Sequence, residues 1–397
     1  MDAGLEARDA TLCHSLRSRL GIRRPLESEA PAPPGSFAFR VCRHTQSADS
    51  GCILRRGRED ASLRQEGDPS LEVPTKAEIH IGPAGWSYPD WDGIVYPSKK
   101  ERSFDPLEFI ASYFDLVEVN STFYRVPSRG TCRRWVERTA QRTGFLFTAK
   151  APQDMTHRTI PATEREVAAF KAAIEPMMES RRLGAVLIQF PWSFRPSSEA
   201  TAYVRSLCEW FSPFPTAVEV RHGAWAAPRH LRFFSDTGIT LCGIDQPVIG
   251  NSFTPHTYSP ANGRAYFRLH GRNREKWFSS EATRDDRYDY LYSADELSFW
   301  RDKIHHAAER AQKIFVVLNN HFRGQAVVNG LELKAMLTGE ASRAPRELAS
   351  SYPRSRDVLR PDSQPRAGSD SAPRDPLDLF ETDDDAEEDQ GNDGKDR

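Results

Sequence analysis

Four apolar runs in this chain break off into dense polar clusters, and that repetition narrows the folds open to it. Leu116-Val117-Glu118-Val119 leads into Asn120-Ser121-Thr122-Phe123-Tyr124. Val218-Glu219-Val220 leads into Arg221-His222, Phe267-Arg268-Leu269 into His270-Gly271, and Val316-Val317-Leu318 into Asn319-Asn320-His321. Short apolar runs of this kind read as buried strands, and a core strand has no use for Glu, Asn and Ser together. Several strands that each end in chemistry suggest a barrel whose strands share one active face.

The rest of the chain keeps that rhythm. Strands are expected at 79–82, 116–120, 146–149, 185–190, 217–221, 240–245, 265–270 and 314–319. Helices are expected at 106–113, 131–139, 163–175, 198–211, 228–237, 294–311 and 325–337. Asp105 before Pro106, and Ser293 before Ala294-Asp295-Glu296, supply N-cap acceptors and first-turn acids. Between the sixth and seventh strands, 246–264 shows turn residues alone. Eight β-runs in about 265 residues, nearly all joined by helices, match an α/β chain of the (β/α)8 TIM-barrel class. A doubly wound open sheet competes, but no Gly-x-Gly-x-x-Gly follows the first strand.

Composition sets the boundaries. Of 397 residues, 38% are hydrophobic, low for one packed domain, so disordered flanks are expected at 1–75 and 341–397 around a core at 76–340. The C-terminal flank ends in Asp383-Asp384-Asp385-Ala386-Glu387-Glu388-Asp389, a self-repelling, solvated block. The formal charge of −2 divides into zero, +4 and −6 over these three segments. A weakly cationic core suits a small anionic or phosphate-bearing substrate and argues against an extended nucleic-acid groove. Cys13, Cys42, Cys52, Cys132, Cys208 and Cys242 show no CxxC spacing, which reads as reduced thiols in the cytoplasm. No apolar run approaches a membrane span, and the opening residues lack the apolar core of a secretory signal.

Seven motifs occur in order: Gly82-Pro83-Ala84-Gly85-Trp86-Ser87-Tyr88, Glu118 to Tyr124, Lys150-Ala151-Pro152, Gln189-Phe190-Pro191, Glu219-Val220-Arg221-His222, Leu269-His270-Gly271-Arg272-Asn273 and Asn319-Asn320-His321. Over 77–338 the chain resembles the YecE-like family, domain of unknown function 72. The resemblance implies a TIM-barrel fold and leaves the activity open.

On such a fold the strand ends offer Trp86, Ser87 and Tyr88 from the first strand and Glu118, Asn120, Ser121 and Tyr124 from the second. The third and fourth give Lys150 and Gln189, the fifth Glu219, Arg221 and His222, and the sixth Asp245. The seventh supplies Arg268, His270, Arg272 and Asn273, and the eighth Asn319, Asn320 and His321. Side chains alternate along a strand, so Glu118 and Asn120 share a side, as do Glu219 and Arg221, or Arg268 and His270.

Glu118 and Glu219, with His270, are the candidate acid/base groups, and Arg221 and Arg268 would hold the carboxylates ionised and bind an anion. A structural Glu–Arg–Glu network with no chemistry explains the same residues. Glu118, Glu219, His222, Asp245, His270 and His321 have the ligand chemistry for a divalent metal. No HxH, HxxxH or HExxH spacing ties two of them together, and two arginines oppose a cation, so metal is not favoured. The loops after strands seven and eight, with Arg272 and Gly324, would suit phosphate at a helix N-terminus. Trp277, Phe278, Tyr288, Tyr290 and Tyr292 would supply an aromatic lid.

The expected function is therefore an enzyme acting on a phosphate-bearing substrate, phosphoester hydrolysis being the first reaction considered. A sugar isomerase or lyase is the alternative. A non-catalytic module binding single-stranded nucleic acid or another anion belongs to a different class.

Overall fold

The computed structural model describes residues 77–277 and 282–362. All eight expected strands form: β1 (Glu78–Pro83), β2 (Leu116–Val119), β3 (Leu146–Lys150), β4 (Leu183–Gln189), β5 (Thr216–Glu219), the pair β6 (Thr240–Leu241) and β7 (Gly243–Asp245), β8 (Arg264–Leu269) and β9 (Lys313–Leu318). The expected sixth strand is thus two pieces separated at Cys242. The strands lie in two sheets, ordered β2-β3-β4-β5-β6 and β1-β9-β8-β7. Every neighbouring pair is parallel.

The sheets meet at two places. Beyond β1, Ala84 pairs in parallel with Glu118, and Gly85 N–H donates to the Glu118 carbonyl at 2.8 Å. A Cβ on Gly82 would lie 1.7 Å from the Leu116 carbonyl oxygen, so glycine is what lets β1 approach β2. At the second place the chain itself crosses: β6 pairs with β5, Cys242 N–H donates to Val218, and β7 pairs with β8.

Parallel neighbours require crossovers, and helices supply most of them. Those are α1 (Pro106–Ala111), the single turn α2 (Ser121–Tyr124), α3 (Arg129–Arg138), α4 (Glu164–Glu179), α5 (Ser198–Phe211) and α6 (Pro228–Thr237). They are followed by the short α7 (Arg274–Trp277) and α8 (Arg284–Tyr288), then α9 (Ala294–Ala308) and α10 (Gln325–Thr338). Their starts follow local chemistry. Asp105 accepts from Leu107 and Glu108 at the head of α1, and Thr163 with Glu166 and Ser293 with Glu296 close capping boxes on α4 and α9. Between β7 and β8, 246–264 forms no helix; antiparallel bridges His222–Ser252 and Leu241–Ser259 fold it back on the sheet.

One boundary moves. The expected tail from 341 begins with ordered structure, β10 (Ser342–Ala344), α11 (Arg346–Ser351) and β11 (Leu359–Pro361), with β10 and β11 paired in parallel. Ala344, Leu348 and Leu359 are buried there, too widely spaced among Arg, Ser and Pro to show a period. Arg343 makes a fork to Asp362, and Ser355 donates to buried Glu332 of α10 at 2.6 Å. The acidic block and the 1–75 flank lie outside the described residues. Cys132, Cys208 and Cys242 are free thiols; Cys13, Cys42 and Cys52 also fall outside. Among the described residues no helix is long and apolar enough to cross a membrane.

Candidate functional site

Alternation along β8 sends Tyr266, Arg268 and His270 to one side, toward the opposite sheet. Arg268 is 1% exposed and reaches three of that sheet's strands. Its Nη2 donates to Glu118 Oε1 at 2.6 Å, and its Nη1 donates to Glu219 Oε2 at 2.7 Å and to Gln189 Oε1 at 3.0 Å. Both carboxyl groups are fully buried. Below this layer the Tyr266 hydroxyl donates to Glu118 Oε2 at 2.8 Å and lies 2.9 Å from Thr148 Oγ1. Sequence reasoning missed Tyr266 and Thr148. Alternation carried the signal, since Tyr266 is in phase with Arg268, and Thr148 with Lys150.

Above the layer, His270 Nε2 sits 3.2 Å from Glu219 Oε1, and Arg221 faces the same oxygen through Nε and Nη2, both at 3.1 Å. Asn319 Nδ2 lies 3.0 Å from His270 Nδ1, and Asn120 Nδ2 donates to Asn319 Oδ1 at 3.4 Å. That amide orientation makes His270 Nδ1 an acceptor and leaves the ring proton on Nε2, facing Glu219. Burial opposes ionisation of Glu219, yet Arg268, His270 and Arg221 outweigh it and hold the carboxyl well below the usual range. Burial, reinforced by Arg221 and Arg268, pushes His270 down to about 3 against the pull of Glu219, so the imidazole is neutral at pH 7.

Lys150 completes the group. It is half-buried at the end of β3, its Nζ 3.6 Å from the centroid of the Phe123 ring. Burial and Arg268 pull the amine down to about 7 against Glu118 and Glu219, and Arg221 adds to the fall. The structure thus brings Glu118, Asn120, Lys150, Gln189, Glu219, Arg221, Arg268, His270 and Asn319 into one constellation.

The remaining candidates do other work. His222 Nδ1 accepts from Ala224 N–H at 3.2 Å and caps the short turn Gly223–Ala226. Asp245 is locked by a fork from Arg272 and by Trp300 Nε1 at 2.9 Å. Arg272 spends its other edge on Glu296 at 2.9 Å. Asn273 ties down the carbonyls of Asp286 and Asp289, and Asn320 donates to Tyr290 O and Asn329.

Two backbone donors of the expected phosphate cradle are met from within the protein. Tyr292 OH accepts from Gly271 N–H, and Asp90 accepts from Arg323 N–H beside the start of α10. Tyr88 stacks on His321 at 4.5 Å, Trp86 meets Trp135 edge-on at 5.5 Å, Ser121 opens α2, and Ser87 and Tyr124 are exposed.

The expected lid divides in the same way. Tyr292 is fully buried and Tyr290 donates to Glu296, so both are packing residues. Trp277 and Tyr288 lie over the site, 6.3 and 6.4 Å from the His270 ring, and Tyr288 is 5.0 Å from His321. Phe278 is outside the described residues. Among the described residues no three His, Cys, Asp or Glu side chains converge as metal ligands. Arg268 donates to one oxygen of each site carboxylate.

The family model described as "Protein of unknown function DUF72" matches residues 80–354. UPF0759 protein YunF of Bacillus subtilis (strain 168) is 32% identical over 284 residues, 68% of this chain and 99% of the relative. UPF0759 protein YecE of Escherichia coli (strain K12) is 28% identical over 172 residues, 43% of this chain and 58% of the relative. A solved DUF72 family protein from Thermotoga maritima superposes with a TM-score of 0.56 at 34% identity, covering 66% of this chain and 99% of its own. One from Enterococcus faecalis gives 0.58 at 27%, covering 66% and 95%.

Proposed function

The chain belongs to the DUF72 family, and from the site geometry we propose that it is an enzyme performing acid/base chemistry on a small anionic substrate. The observation that carries this reading is the Arg268-centred cluster, which holds an ionised Glu219 beside a neutral His270 and a half-buried Lys150. Groups whose environments drive their proton affinities apart are what proton transfer requires. Arg221 faces Glu219 through Nε and Nη2, and its Nη1 has no partner among the described residues, so it remains for a substrate anion.

In the same reading the two sheets close into one (β/α)8 barrel. The Ala84–Glu118 pairing and the crossing at Cys242 support that closure. The site then lies at the C-terminal ends of the strands, where barrels of this class carry their chemistry.

Proton abstraction and return, of the isomerase or lyase kind, fits better than phosphoester hydrolysis. Arg272 and the start of α10 already face Asp245, Glu296 and Asp90, so a phosphate arriving there would meet carboxylates as well as donors. The test is hydrogen–deuterium exchange in D2O followed by NMR, with the full chain and a panel of sugar phosphates, hydroxy acids and 2-oxo acids. The expected outcome is exchange at carbon next to a carbonyl for one class, reduced at least about 100-fold in Glu219→Gln. Equal exchange in the variant, or none across the panel, contradicts the proposal.

A further inference from the structure

Lys150 is the one amine in the cluster, and the acid/base reading gives it no covalent role. An ammonium drawn partly out of water ordinarily meets a carboxylate or a set of carbonyls. Lys100, Lys171, Lys313 and Lys334 do so, while Lys303 lies over the Tyr258 and Phe299 rings, 5.6 and 5.2 Å from their centroids. Lys171 donates to the carbonyls of Trp210 and Ser212, Lys334 to that of Tyr113, and Lys313 pairs with Glu78 at 3.1 Å. Lys150 Nζ has no hydrogen-bonding partner among the described residues; its named contact is the face of Phe123.

The nearby carboxylates are already taken. Glu118 accepts from Arg268 and Tyr266, and Glu219 faces Arg268, Arg221 and His270. Two carboxylates against two guanidiniums make a balanced set. A proton on Lys150 is therefore a surplus charge, and its neighbourhood favours the free amine. The amine's fall to about 7 agrees with this count.

We infer that Lys150 is a carbonyl-capturing nucleophile, whose amine condenses with the aldehyde or ketone carbon of an anionic substrate held by Arg221 to form a Schiff base. The inference rests on the small-anion reading above and adds the substrate class. The Nζ lone pair attacks the carbonyl carbon, and one proton passes from nitrogen to oxygen through water, giving a carbinolamine. Taking one proton from solvent, the carbinolamine loses water and leaves a protonated imine. No oxidant or reductant is consumed. The iminium keeps its positive charge against the Phe123 face, where cation–π attraction favours it. It also draws electrons from the adjacent carbon, which lowers the barrier to the proton abstraction assigned to this site.

The experiment is reductive trapping. The full chain is incubated with glyoxylate, the smallest 2-oxo acid, and sodium cyanoborohydride at several pH values, and the modified lysines are mapped by mass spectrometry. Thermal unfolding with glyoxylate alone is measured in parallel. The expected result is a carboxymethyl adduct at Lys150 at least about tenfold above exposed Lys99 and Lys100 at pH 7. Its rate should level off just above pH 7, whereas ordinary lysines keep gaining toward 10.5. Lys150→Arg should lose the dominant adduct and leave the others unchanged. Labelling that follows exposure alone, or spares Lys150, overturns the Schiff-base assignment. If glyoxylate still raises the melting temperature in that case, anion binding survives; if it does not, the wider reading falls with it.

Discussion

Arg268 joins Glu118, Gln189 and Glu219 on three strands of the sheet opposite its own, through two nitrogens of one guanidinium. Lysine could not do this, because a compact ammonium lacks the fixed fork. Alternation alone put Glu118, Asn120, Glu219, Arg221, Arg268 and His270 on shared faces, so this much of the site was legible in the sequence. The partners of Asp245 and Arg272 were not, because each spends its charge on an element distant in the chain. Period-2 reasoning says where a side chain points and nothing about what meets it.

Lys150 gives a residue-scale prediction with a definite sign. Its amine falls from the usual 10.5 to about 7 in the folded protein. Between those values the unfolded chain holds a proton that the folded chain has lost, so this group makes stability rise with pH. Below pH 7 both states carry the proton and the cost of burying it is fully present. Lys150→Met should therefore stabilise the protein at pH 6, by on the order of 1 kcal/mol or more. The advantage should shrink as pH approaches 10, read from urea denaturation of both proteins across the range. A constant difference would mean that the amine is solvated as usual.

At the scale of elements, helix starts were the most legible feature. Asp105 and Ser293 cap where their acceptors and first-turn acids indicated, and Thr163, expected inside its helix, caps it instead. What escaped notice was structure held by scattered contacts. The segment from β10 to β11 is pinned to α10 by Ser342 on the Leu331 carbonyl and by Ser355 and Arg354 on Glu332. Asn329, on the same helix, binds Glu332 and accepts from Asn320 and Tyr292, so this strap reaches the loop that follows β9. Ser355→Ala would leave one oxygen of a buried carboxylate without its donor. It should cost about 1–3 kcal/mol in urea denaturation, and a loss below a few tenths would show that water replaces the hydroxyl.

Across the described residues, two parallel sheets present their strand ends to one side, and polar residues at the ends of β2, β3, β4, β5, β8 and β9 gather there. The repeated pattern of apolar runs ending in polar clusters announced that arrangement before any contact was known. The loops were harder to read, because the same Gly-Arg-Asn chemistry serves either a ligand or the protein's own carboxylates. Here Asp90, Asp245 and Glu296 take up much of it, and the open positions are Arg221 and Lys150. The most direct test of the central claim is thermal unfolding of the full chain titrated with phosphate, sugar phosphates and 2-oxo acids, with Arg221→Gln alongside. A saturable rise in melting temperature, lost in Arg221→Gln while the unliganded midpoint stays within a few degrees, is the predicted result. No rise with any of these anions, or an equal rise in the variant, would contradict a substrate site at this cluster.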